Sequence, residues 1–188
     1  MNYIFDLDDT LLLNSDISYQ ASRKVVQDLF RHRKLRKEGN TIVEKVKKIY
    51  ADRHYRLTKQ YMDEGLIELA PRAKEFLENK EVFQAGLTNA PYRSTHYKIR
   101  QLGIEGLLDP VLTPRSMERK PDPEGIIKII EDSGMEKNSF IYVGDSIKDL
   151  MAGKRAGVRT ILISDEFTKK IFADEHYTSF KNFTRNHT

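Results

Sequence analysis

Cysteine is absent from the 188 residues, so the chain can form no disulfide, no thiolate zinc site and no cysteine nucleophile. A reducing compartment is compatible with that absence but not required by it. Long apolar runs are missing too: none approaches the ~18 residues of a membrane helix. The N-terminus meets Asp6, Asp8 and Asp9 where a secretory signal would carry Lys or Arg and then an apolar stretch. No membrane partner is expected, and a cytoplasmic location is the default. Proline and glycine are sparse, at 6 and 10 residues, and 39% of the chain is hydrophobic against 32% charged. That composition excludes collagen-like and disordered classes and suits one buried core, or one core with a modest insertion.

What is there is an uneven charge. The net +4 comes from 32 Lys/Arg against 28 Asp/Glu. Between Asn14 and Leu69 the count is 13 against 8, a net +5, which leaves 19 against 20, a net −1, for the rest. The excess that favours anionic partners therefore sits in one segment.

Tyr3, Ile4 and Phe5 form a short β-prone run that stops at Asp6-Leu7-Asp8-Asp9-Thr10, which reads as a buried strand entering a polar loop. From Asp16 the spacing turns helical, with Val25, Val26, Leu29 and Phe30 on one face. Thr41 with Glu44 predicts a capping box opening a second helix, whose stripe is Ile42, Val43, Val46, Ile49, Tyr50 and Leu57. After Pro71 strands and helices alternate. Helices are expected over Arg72 to Asn79, Tyr92 to Leu102, from Asp122-Pro123 to near Gly134, and Ser146 to Ala156; strands over Val82 to Leu87, Val111-Leu112, Phe140 to Val143 and Thr160 to Ile163. Such alternation predicts an α/β fold, a Rossmann-like parallel sheet flanked by helices with right-handed crossovers. The early helices predict a small all-helical domain inserted after the first strand. The expected division is residues 1–13 and 71–188 for the core and 14–70 for the insertion.

Ligands in such sheets sit beyond the carboxyl ends of the strands. There the sequence offers Asp6 and Asp8, Thr88 and Asn89, Lys120 before Pro121, and Gly144, Asp145, Ser146 and Asp149. Crowded carboxylates repel one another unless a cation neutralises them. A hard divalent ion with oxygen ligands, magnesium first among them, resolves the repulsion. Lys120, the Thr88 hydroxyl and amides around Asn89 suit an anion rich in acceptor oxygens, a phosphoryl group.

These residues resemble, in order and setting, the four motifs of the haloacid dehalogenase-like (HAD) superfamily, closest to its phosphoglycolate-phosphatase-like and nucleotidase-like members. The resemblance covers residues 1–13 and 71–163. It implies a magnesium-dependent phosphatase for a small phosphomonoester such as phosphoglycolate, a sugar phosphate or a nucleoside monophosphate. Asp6 would be the nucleophile and form an aspartyl-phosphate, and Asp8 would be the general acid and base. Thr88, Asn89 and Lys120 would bind the phosphate. The metal set would be Asp6, Asp8 through its backbone carbonyl, Asp145 and Asp149, the last as ligand or support. Dehalogenases of the family lack the second acid, so Asp8 argues for phosphoryl chemistry. Asp9 stands where many members carry Gly. The insertion corresponds to a cap that closes over the site.

Two rivals remain at this point. A phosphomutase would use the same residues, and a nucleic-acid binder would use the basic run Arg31 to Lys37. No aromatics interleave with that run as a stacking platform requires, so a solvated helical face is the better reading. Ser146 reads first as a helix cap, with metal or phosphate contact second, Arg93 as a surface residue, and His54, Tyr55 and Arg56 as packing or as groups reaching over the site.

Overall fold

The computed structural model describes residues 1–13, 20, 23 and 39–187 of the chain. The expected helix with Val25, Val26, Leu29 and Phe30, and the run Arg31 to Lys37, lie outside the described residues.

Six strands form one parallel sheet: β1 (Asn2–Phe5), β4 (Gln84–Leu87), β5 (Val111–Leu112), β6 (Phe140–Gly144), β7 (Arg159–Ile163) and β8 (Glu175–Tyr177), in the order β5-β4-β1-β6-β7-β8. Residues of β1 alternate between faces as a pleated strand requires. Tyr3 and Phe5 join a cluster with Phe76, Phe180 and Phe183, whereas Ile4 joins Leu87, Ile126, Ile129 and Tyr142 on the other face. Helix α2 (Ala73–Leu77) and the C-terminal α6 (Phe180–His187) cover the first face; α4 (Glu124–Ser133) and α5 (Ile147–Ala156) cover the second. Burial on both faces explains why the strands read as unbroken apolar runs.

Several boundaries differ from the expected ones for local reasons. Arg72 has φ of 70°, a left-handed conformation that excludes it from α2. Pro123 precedes α4 as its N-cap instead of occupying the first turn, and Gly134 ends that helix with φ of 66°. Strand β4 starts at Gln84, two residues after Val82. Strand β8 and helix α6 were not expected at all. Their signal is present in the spacing of Phe180, Phe183 and His187, which brings three rings to one face.

The short strands β2 (Leu12–Leu13) and β3 (Glu68–Leu69) pair antiparallel, so the chain leaves and rejoins the sheet domain at one place. Between them runs α1 (Gly39–Asp63), beginning two residues before Thr41. It packs on α3 (Tyr92–Gln101), and the side chains of Ile42 and Val43 from the expected stripe lie outside the described residues. Val46, Ile49, Tyr50 and Leu57 are half-buried, and among the described side chains the fully buried ones are polar: His54 and Thr58 on α1, Ser94, Thr95 and Lys98 on α3. Among the described residues, no helix is long and apolar enough to cross a membrane.

Candidate active site

The three central strands β4, β1 and β6 end side by side. Phe5 is in register with Gly86 on one side and Val143 on the other, so the residues that follow emerge together. They are Asp6 after β1, Thr88 after β4 and Asp145 after β6. Asp6 is held in line by its N–H, which donates to the Val143 carbonyl at 2.8 Å. The following loop turns through Asp9 at φ of 63°, a left-handed position that Asp tolerates and Gly prefers. That geometry accounts for the Asp at a position where glycine is common.

Lys120 is buried and spends all three ammonium donors inside the site: on Asp6 Oδ1 at 2.5 Å, Asp149 Oδ1 at 2.6 Å and the Leu87 carbonyl at 3.2 Å. The Asn89 side chain is likewise committed. Its amide donates to the Lys120 carbonyl at 3.0 Å and its Oδ1 accepts the Lys120 N–H at 2.9 Å, which fixes the loop that carries the lysine. The Thr88 hydroxyl accepts from the Ala90 N–H at 3.0 Å and donates to Asp8 Oδ2 at 3.4 Å.

Asp149 is buried and saturated. Tyr142 Oη and Lys120 donate to Oδ1, while the Ser146 N–H and hydroxyl donate to Oδ2 at 3.0 and 2.5 Å. Ser146 is the N-cap of α5 and Asp149 its capping-box partner. This close approach needs Gly144, because a Cβ there would collide with the Asp149 side chain.

Charge in the site is out of balance. Burial, with Asp149, Asp145 and Asp8 nearby, holds the Asp6 carboxyl well above its ordinary range despite Lys120. Burial together with Asp149 and Asp9 raises Asp145 to about 6. Asp149 is lowered because Lys120 and Ser146 outweigh its burial. Asp6, Asp145 and Asp149 each offer an oxygen, all within 4.8 Å of one another. A donor set of hard carboxylate oxygens with excess negative charge fits a divalent oxygen-seeking cation such as magnesium. Asp145, half-buried and raised, and Asp6 have the capacity to ligate; Asp149 already accepts four hydrogen bonds.

All the sequence-predicted residues, Asp6, Asp8, Thr88, Asn89, Lys120, Asp145 and Asp149, line one cavity of about 650 Å³. The sequence reading missed its other cations, Arg119, Lys148 and Lys169. Lys169 reaches in with Nζ 3.4 Å from the Asp145 carbonyl, and Arg119 and Tyr50 also line the rim.

It also missed Lys98. That lysine is fully buried and ion-paired with Asp8. The available signal was its place on the inner face of α3 with Ser94, Thr95 and Ile99, since a charge on a buried stripe needs a partner.

The sequence profile of the family described as haloacid dehalogenase-like hydrolase matches residues 3–163. The chain belongs to that family. Among relatives in the family, pyrophosphatase PpaX of Halalkalibacterium halodurans is 23% identical over 175 residues, covering 85% of this chain and 81% of its own length. A phosphoglycolate phosphatase of Aquifex aeolicus is 29% identical over 140 residues, covering 74% and 59% respectively. The crystal structure of a hydrolase from Pseudomonas syringae superimposes with a TM-score of 0.79 at 20% identity, covering 99% of this chain and 97% of that one, so the two share a fold.

His54 does not reach over the site. Its Nδ1 lies 2.8 Å from Ser94 Oγ and 3.3 Å from Thr58 Oγ1, beneath α1. Burial, and then the nearby Lys98 charge, lowers its pKa to about 4. An unfolded chain takes up this proton near 6.5 and the folded one only near 4, so His54 makes stability fall as pH drops through that window. Asp145 works in the opposite direction, because its raised pKa lets the folded state keep a proton that the unfolded chain releases. The expected result therefore concerns a difference. Between pH 7 and 4.5, urea titrations should show wild type losing about 2 to 3 kcal/mol more than His54→Asn. Equal losses would show that the imidazole is not held neutral.

Proposed function

We propose that the protein is a magnesium-dependent cytoplasmic phosphatase acting on a small phosphorylated metabolite through an aspartyl-phosphate, with residues 14–70 as its cap. The observation that carries this reading is the meeting of Asp6, Asp8, Thr88, Lys120 and Asp145 in one cavity at the ends of three adjacent strands. The phosphatase names of its relatives agree with it.

Asp6 is the nucleophile: Lys120 orients one carboxylate oxygen and leaves the other to meet phosphorus. Asp8 lies two residues on, with Thr88 and Lys98 holding its two oxygens apart. From there it gives a proton to the leaving oxygen and later takes one from the water that splits the acyl phosphate. Magnesium, held by Asp6, Asp145 and the Asp8 carbonyl with Asp149 in support, would supply positive charge to both the nucleophile and the phosphoryl oxygens. Lys120, its donors committed to Asp6, Asp149 and the Leu87 carbonyl, serves the transferring phosphoryl group by its charge, and the Thr88 hydroxyl faces the same cavity and can turn from Asp8 to a phosphoryl oxygen. Asn89 contributes by fixing the Lys120 backbone.

Removal of the metal gives the test. With a generic aryl phosphate and a panel of phosphorylated metabolites, phosphate release should require magnesium, stop in excess chelator and return on its readdition. Magnesium should also raise the unfolding midpoint, because it relieves the repulsion that elevates Asp6 and Asp145. Metal-independent hydrolysis would refute the reading. Isomerised sugar phosphate without free phosphate would favour the mutase, and salt-sensitive DNA or RNA binding without hydrolysis would favour the nucleic-acid binder.

A further inference from the structure

A second cavity of about 510 Å³ adjoins the catalytic one, and Tyr50 and Arg119 line both. Its remaining wall combines Lys47 of α1 and Arg93 of α3 with Tyr92, Arg115, Met117 and the two prolines Pro91 and Pro114; among the described residues Glu118 is its one acid. Four cations against one carboxylate give a net +3, beside a catalytic cluster that is itself rich in acid.

The four cations are not equivalent. Lys47 lies 3.0 Å from Glu44, and Arg93 lies 3.5 Å from Asp52 with its guanidinium over the Tyr55 ring. Arg115 and Arg119 have no carboxylate within ion-pair distance among the described residues. Arg119 is anchored through Nη1, which donates to the Asn89 carbonyl at 3.0 Å, on the same asparagine that fixes Lys120. Arg115 lies over Tyr92, 5.0 Å from the ring centroid. Each guanidinium is thus positioned by a neighbour that leaves donors unspent, and the buried Met117 gives the wall an apolar patch. A planar fork of N–H donors matches carboxylate and phosphate oxygens and has little use for a neutral hydroxyl.

We infer that this cavity is the leaving-group subsite and that Arg115 and Arg119 grip an anion, carboxylate or phosphate, carried by the leaving group itself. The inference rests on the phosphatase reading and adds the substrate class: a phosphorylated compound with a second negative group. It also orients the substrate. The phosphoryl end goes to the acidic, metal-demanding pocket, and the second anion is drawn to the basic one. The positive bias of the 14–69 segment reaches this wall through Lys47.

Matched substrates test it without assuming which anion is used. One pair is phosphoglycolate and 2-hydroxyethyl phosphate, which differ by a carboxylate. The other is propane-1,3-diol bisphosphate and 3-hydroxypropyl phosphate, which differ by a phosphate. In the presence of magnesium, wild type should favour the anionic member of at least one pair by 10-fold or more in kcat/KM, with the difference mainly in KM. The pair that shows it identifies the anion. Arg115→Met and Arg119→Met should each bring that ratio toward one, and Arg115→Lys should restore part of it. Partial misfolding lowers both members of a pair alike and cancels in the ratio. A wild-type ratio near one, or a ratio that neither substitution moves, overturns the subsite while leaving the phosphatase reading intact. No hydrolysis of these substrates or of an aryl phosphate removes both.

Discussion

Asp6→Asn should reduce phosphate release by at least about 10⁴-fold while leaving the protein as stable as wild type, or more so, in the absence of magnesium. The amide occupies the same space but offers no anionic oxygen to attack phosphorus. Its effect on stability follows from the carboxyl's environment: burial and three neighbouring carboxylates hold Asp6 well above its ordinary pKa, so the charged form is disfavoured in the fold. Neutralising it removes repulsion, and Lys120 keeps Asp149 and the Leu87 carbonyl as partners. Loss of activity with retained or increased thermal stability is the mark of a group kept for chemistry at a cost in stability. Phosphate release and thermal melts of both proteins provide the check. An acid-quenched wild-type reaction should also yield a phosphorylated peptide containing Asp6. Residual activity above about 1% of wild type would disqualify Asp6 as the nucleophile.

The residues that line the cavity were legible in the sequence because each belongs to a short local pattern: a buried strand, its abrupt end, and a polar residue just beyond. Asp6, Thr88 and Asp145 needed only the rule that parallel strands share one functional end. Their side-chain commitments were not legible. Asn89 looks like a phosphate ligand in the sequence, but its amide closes a two-bond bridge to the Lys120 backbone 31 residues away. Asp149 reads as a metal ligand or its support, and which groups share its oxygens, the capping box, Tyr142 and Lys120, is visible only in the fold. Long-range pairing of this kind has no periodicity to betray it.

The same limit applied to α1. Its 3.6-residue pattern was plain, but the fully buried groups between it and α3 are hydroxyls, an imidazole and a lysine, with Tyr55 against Tyr97 beside them. Apolar periodicity locates a buried stripe and says nothing of polar groups that satisfy one another across an interface. Strand β8 and helix α6 were hidden for another reason. Glu175, His176 and Tyr177 carry too few apolar residues to announce a strand, and they pair at the sheet edge, where one neighbour suffices.

Lys98→Met should lower kcat by about 10²-fold with KM changed less than about 3-fold, because the lysine touches Asp8, the carboxylate proposed as acid and base, and does not line the cavity that holds it. Removing one member of a buried ion pair also costs stability. The Asp8 side chain is 18% exposed and keeps the Thr88 hydroxyl, so about 1 to 3 kcal/mol is expected instead of the full penalty for an isolated buried charge. A stability loss alone would be a structural effect, and a double-mutant cycle separates the two. In an Asp8→Asn background the carboxylate is gone, so adding Lys98→Met should cost little further turnover. If Lys98 only supports the packing of α3 against α1, the same substitution will reduce turnover by the same factor in both backgrounds. Additivity in the cycle would therefore refute the positioning role even if the single variant is nearly inactive. Strong non-additivity would make Lys98 the link between a buried polar interface under α1 and the group that handles the proton.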